Sequence, residues 1–173
     1  GDIVISAGTE AGTNKVEQGG TLKSENDTGT IITGTSNENT VTIDTSEGNV
    51  DVTFDDLKID ASSRGYKDPT DTGKAAVSVT GSGDTTIELD GNNTLKSGDR
   101  HAGLEHNKTD TSGKLTIQDV GNDGSLDATG GFRGAGIGGG EAHNGQGIIT
   151  GGTSTATAGS SSGRCIYGGG CGI

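Results

Sequence analysis

The sequence predicts an all-β fold: a right-handed parallel β-helix (solenoid) with three short strands per coil and about five coils. Three observations predict it. Short stretches of alternating polar and branched apolar residues recur, most clearly at residues 85–89, 115–117 and 147–150. Each is followed by a second short stretch (residues 93–97, 125–129 and 154–158) and then by a glycine-rich corner with an Ala-Gly-Leu-like core (residues 102–104, 135–140 and 165–170). The spacing is nearly constant, since Ile87 and Ile117 are 30 residues apart, as are Gly138 and Gly168. Self-similarity at such a period marks stacked supersecondary units.

The elements follow in order. Residues 3–5, 21–23, 30–32 and 41–43 are short apolar-centred strands separated by polar turns. Residues 50–54 carry the strongest alternation, with Val50, Val52 and Phe54 on one face and Asp51 and Thr53 on the other. Residues 57–61 and 75–79 supply further strands, with a polar loop around Pro69 between them. Equal offsets place like residues above one another, Ile87 over Ile117 and Leu95 over Leu126, where branched side chains pack well on a pleated surface. The glycines at 130–131, 138–140 and 151–152 are expected to supply positive φ at corners, and Gly91-Asn92-Asn93 reads as another corner. The 173 residues form one β-helix domain, less regular over residues 1–48 and clearly repeating over 49–173. The last coil ends in a glycine corner without a polar cap. The expectation is a fragment of a longer protein, with self-association through the open C-terminal edge as the alternative.

Composition agrees with a narrow core. Only 26% of residues are hydrophobic and 2% aromatic, against 35 glycines, which suits a stack of small inward side chains better than a layered globular core. No window carries helical periodicity. No stretch has the length of a membrane-spanning helix, so no membrane insertion is expected. The net charge of −12 argues against nucleic acid, whose phosphates require clustered Lys and Arg. Cys165 and Cys171 are the only cysteines; their spacing admits a disulfide as well as two free thiols, and both readings stand.

The strings Leu89-Asp90-Gly91-Asn92-Asn93-Thr94-Leu95-Lys96-Ser97-Gly98, Leu126-Asp127-Ala128-Thr129-Gly130-Gly131 and Gly134-Ala135-Gly136-Ile137-Gly138-Gly139-Gly140 resemble the glycine-rich β-helix repeats of large surface proteins from anaerobic Gram-positive bacteria. The resemblance covers roughly residues 50–170 and is specific for architecture rather than activity. It implies an adhesin-like or carbohydrate-binding-like module, extracellular, at the cell surface or wall. Arg164-Cys165-Ile166-Tyr167 departs from the pattern one coil earlier, as an end coil or a site would.

The richest chemical cluster is Asp99, His101, Glu105 and His106, with His143 beside Glu141 in the next corner. A metal or proton-transfer role is weighed there against a solvated corner, because the spacing matches no standard zinc pattern. On a strand His101 and Glu105 share a face and His106 takes the other. The cofactor expectation is none, or calcium, with Asp55, Asp56, Asp68 and Asp71 as the candidate ligands and Asp119 with Asp123 as a further pair. Asp pairs in turns are also ordinary turn formers. Tyr66, Phe132 with Arg133, and Tyr167 are the aromatic contacts available to a sugar, whereas Phe54 reads as core. The threonine row at residues 153–157 raises ice binding as a third possibility.

The expected function is therefore a non-enzymatic surface module that binds a glycan or other host or cell-surface ligand. The alternatives are a structural stalk and a lyase-like polysaccharide-active enzyme.

Overall fold

The computed structural model describes residues 1–63 and 73–160. Fourteen strands and no helix are found among them. The chain opens with an antiparallel meander, β1 (Ile3–Ala7), β2 (Asn14–Gln18) and β3 (Thr21–Asp27). Gly12, Gly19 and Gly20 all take positive φ and make its two tight reversals. The remaining strands are β4 (Ile31–Ser36), β5 (Val41–Asp44), β6 (Val50–Asp60), β7 (Val77–Thr80), β8 (Thr85–Lys96), β9 (Leu104–His106), β10 (Leu115–Gln118), β11 (Gly124–Thr129), β12 (Ile137–Gly138), β13 (Ile148–Ile149) and β14 (Thr153–Thr157).

They form two seven-stranded sheets that are mostly parallel. The first runs β12-β9-β7-β5-β1-β2-β3. In the second, β6 pairs with β4 and β8, and β8 carries β10 on its first half and β11 on its second. β13 and β14 lie outermost, against β10 and β11.

The expected right-handed β-helix of three strands per coil is corrected by this pairing. The strands belong to two sheets, and the first three are antiparallel. Two local causes account for the difference. The polar Gly91-Asn92-Asn93 step, read as a corner between two strands, lies inside the continuous strand β8, and the Asp55–Asp56 step likewise lies inside β6. Asp56 (φ 50°) and Gly91 (φ 62°) absorb the bend in adjacent strands without ending either. At the N-terminus the left-handed glycines turn the chain back on itself, so residues 3–27 make hairpins.

Parallel registry produces the core. Val52, Ile87, Ile117 and Ile149 are register partners in turn, as are Ile59, Leu95, Ala128 and Ala156. In the first sheet Ile3, Val41, Val77, Leu104 and Ile137 form one file, and Ile5, Ile43, Val79 and His106 another. The stacking of Ile87 on Ile117 is as expected. That of Leu95 on Leu126 is not, because Leu95 pairs with Ala128 and Leu126 with Asn93. Val50, Val52 and Phe54 are buried and Asp51 is exposed, as the alternation requires. Burying each such side chain stabilises the fold by roughly 1.5–3 kcal/mol.

The glycine corners have a different cause from the one expected. Of residues 130–131, 138–140 and 151–152, only Gly138 and Gly152 have positive φ. At Gly131 a Cβ would sit 1.9 Å from the carbonyl oxygen of Gly98, and at Gly134 1.9 Å from that of His101. These glycines let successive turns lie main chain against main chain. The left-handed positions in those turns are held by Arg100 (φ 69°) and Arg133 (φ 62°).

Candidate functional site

The turn that follows β8 and the turn that follows β11 stack through backbone hydrogen bonds, Arg100 N–H donating to Phe132 O (2.7 Å) and Gly131 N–H to His101 O (3.0 Å). A third segment, after β12, closes on them: Glu141 N–H donates to Arg100 O at 2.8 Å. This registry gathers Asp99, Arg100, His101, Glu105, Phe132, Arg133 and Glu141 at one corner of the molecule.

Glu105 is its buried anchor, only 7% exposed. Its Oε2 accepts from His101 Nδ1 (2.9 Å) and from Ala102 N–H (3.0 Å), and its Oε1 accepts from Asn107 Nδ2 (3.3 Å). Asn107 Oδ1 in turn accepts from Gly140 N–H at 2.9 Å, tying the third segment to β9. A buried carboxylate with three donors is satisfied. Its bond to His101 holds that imidazole with the proton on Nδ1. His106 follows on β9 and takes the other face, as strand geometry predicts. It ends the file of Ile5, Ile43 and Val79, is 2% exposed, and donates from Nδ1 to Gln146 O at 2.8 Å. His143 is exposed and donates from Nδ1 to Glu141 O at 2.8 Å. The three imidazoles thus have three different partners. No group of three His, Cys, Asp or Glu side chains able to hold a metal occurs among the described residues.

The outer part of the corner is an ion-pair fork. Glu141 Oε2 lies 3.1 Å from Arg100 Nε, and its Oε1 accepts from an Arg133 guanidinium nitrogen. The Arg133 guanidinium also lies over the half-buried Phe132 ring, 4.9 Å from its centroid. Phe132 and Arg133 are therefore in contact at the surface, and His143 is linked to them through Glu141. Asp99 is half-buried in the preceding turn. Arg100 and Glu141 are the residues that sequence reasoning undervalued. The signal that could have found them is the step of 33 residues from Arg100 to Arg133, close to the repeat of the flanking strands.

Other candidates fall elsewhere. Asp56 Oδ1 accepts from Asn92 N–H (2.9 Å) on the neighbouring strand β8, while Asp119 accepts from Asp123 N–H (3.2 Å) and Gly124 N–H (3.0 Å) and closes its own turn. Asp55 pairs in register with Asp90. The Asp90 carboxyl is raised above its ordinary value by partial desolvation and then by the charges of Asp123, Asp55, Glu88 and Asp119. Tyr66, Asp68, Asp71, Arg164, Cys165, Tyr167 and Cys171 lie outside the described residues. β14 exposes Thr153, Thr155 and Thr157, but their register partners are Ser125, Asp127 and Thr129, so the row is mixed rather than an array of threonine.

Two open grooves flank the sheets. One of about 440 Å³ is lined by Ser78, Gly81, Glu105, His106, Asn107 and Ser112. The larger, about 900 Å³, lies between the β1–β2 loop and the outward row Thr53, Thr86, Glu88 and Gln118. Its walls carry Glu10, Glu47 and Asp51, so it favours neutral or cationic groups.

Comparison of the chain with protein families, with curated proteins and with solved structures finds no match.

Proposed function

We propose that the chain is a non-enzymatic, extracellular binding module that presents a glycan-contacting corner on a rigid all-β scaffold. The observation that carries the reading is the convergence of Phe132, Arg133, Arg100, Glu141 and His143 at one accessible corner. An aromatic ring supplies apolar contact for a sugar face, and planar donors with a carboxylate acceptor beside it supply directed hydrogen bonds. Those side chains are set by backbone bonds between stacked turns, so they are preorganised. The resemblance of the repeat strings to those of bacterial surface proteins is the basis for proposing a location at the cell surface or wall.

The test is a glycan array containing neutral and acidic oligosaccharides, probed with the wild type and with Phe132→Ala. Saturable binding by the wild type, weakened about tenfold or more in the variant, is the expected result. A wild type that binds no glycan on such an array would sink the reading.

A further inference from the structure

We propose that Arg100 and Arg133 form a carboxylate clamp for an acidic glycan, and that Glu141 occupies the clamp in the free protein as an internal stand-in for the ligand. The proposal rests on the glycan-binding reading above and gives its ligand class.

Four observations carry it. Both carboxylate oxygens of Glu141 are engaged, one by each arginine, which is the geometry two guanidinium groups offer to any carboxylate. The clamp is accessible, since the arginine side chains are 42% and 45% exposed and that of Glu141 is 29% exposed. Arg100 and Arg133 also occupy left-handed backbone, where glycine is cheaper, in a chain that places 35 glycines. Non-glycine residues in such backbone are enriched at functional sites. Finally, the four arginines of the chain, Arg64, Arg100, Arg133 and Arg164, recur at steps of 36, 33 and 31 residues, whereas its eight lysines follow one another at uneven steps of 6 to 35 residues. Arg64 and Arg164 lie outside the described residues and form no part of the clamp. Their spacing shows that arginine, the residue suited to bidentate recognition, returns with the repeat.

A net charge of −12 repels polyanions in general, so an acidic ligand would be admitted only where guanidinium groups are concentrated. Glu141 sits on a short excursion next to Ala142, which takes φ 63°. Withdrawing its side chain frees both guanidinium groups, while its main chain remains bonded to Arg100 O.

The experiment is calorimetric titration of the whole chain with oligogalacturonate and, separately, with a neutral oligosaccharide of equal length. It uses the wild type, Glu141→Gln, and the double variant Arg100→Gln with Arg133→Gln; thermal melts establish that each is folded. The expected result is oligogalacturonate binding that weakens with added salt, is about tenfold tighter for Glu141→Gln, and is lost in the double variant. Unchanged affinity in Glu141→Gln would overturn the stand-in role, and undiminished affinity in a folded double variant would overturn the clamp. Binding of the neutral probe alone would overturn the acidic ligand class and leave the module reading intact. Silence toward both probes here and on the array would remove both.

Discussion

Replacing Asn93 by leucine keeps the four side-chain heavy atoms and their branching, adds the bulk of two methyl groups, and deletes its hydrogen bonds. Asn93 is 1% exposed and lies in the bend of β8, between β6 and β11. Its Oδ1 accepts from Leu57 N–H at 2.9 Å, and its Nδ2 donates to Asp90 O (3.0 Å), Ser125 O (3.1 Å) and, at longer range, Phe54 O (3.4 Å). The leucine variant leaves one backbone N–H and three carbonyls without that partner, across three strands. An orphaned buried donor costs about 1–3 kcal/mol. Carbonyls tolerate it better. The expected loss is therefore about 3 kcal/mol, or about 6–12 °C in melting temperature for a chain of this length. Equilibrium urea unfolding followed by circular dichroism reads the loss directly. Asn92→Ala is the control, because the Asn92 side chain is exposed and bonds only Ser125 Oγ (2.9 Å), so its change stays within about 0.5 kcal/mol. A loss below about 1 kcal/mol in Asn93→Leu would refute the claim that this amide holds the bend, since the freed groups would then be satisfied without it.

Two further outcomes follow from local geometry. Gly131→Ala places a Cβ 1.9 Å from a backbone oxygen and destabilises by about 2 kcal/mol or more, whereas Gly12→Ala meets nothing within 4 Å and loses only the ~1 kcal/mol of its left-handed φ; equal losses in denaturant melts would contradict the stacking argument. Asp90 has its carboxyl raised, so the folded protein holds that proton more tightly than the unfolded chain, and ionisation works against the fold. Asp90→Asn should accordingly raise the melting temperature at neutral pH, with the gain fading as pH falls through the raised value and gone below the ordinary value of 3.8; a gain that persists in acid would rule this cause out.

The core faces were legible because alternation has a single physical meaning: Val50, Val52 and Phe54, then Ile87 and Leu89, then Leu115 and Ile117, all turn inward as their period requires. What was hidden depends on contacts between segments. Asn93 reads as a turn former from its type, yet it is buried in a strand because its amide bonds the backbone of both neighbouring strands. Glycine runs read as positive φ, although most of them serve close approach, and sequence does not distinguish the two. The two-sheet arrangement was missed because the bends in β6 and β8 shift the register without ending either strand, and because hairpins and parallel returns at the N-terminus share the same short apolar stretches. At the candidate site, His101 and Glu105 were legible as a pair from their spacing. The fork of Arg100, Glu141 and Arg133 was not, since it exists only once three turns are in register.

The files of like side chains have a consequence for how such a chain can diverge. Ile87 lies between Val52 and Ile117, its counterparts in the strands on either side, so a methyl gained at one level must be absorbed at the next. Interior positions are in effect inherited jointly along a file. Thr86 and Thr116, on the outward side of the same strands, answer mainly to solvent. Divergence can therefore rewrite the exterior residue by residue, while the interior changes only in concert.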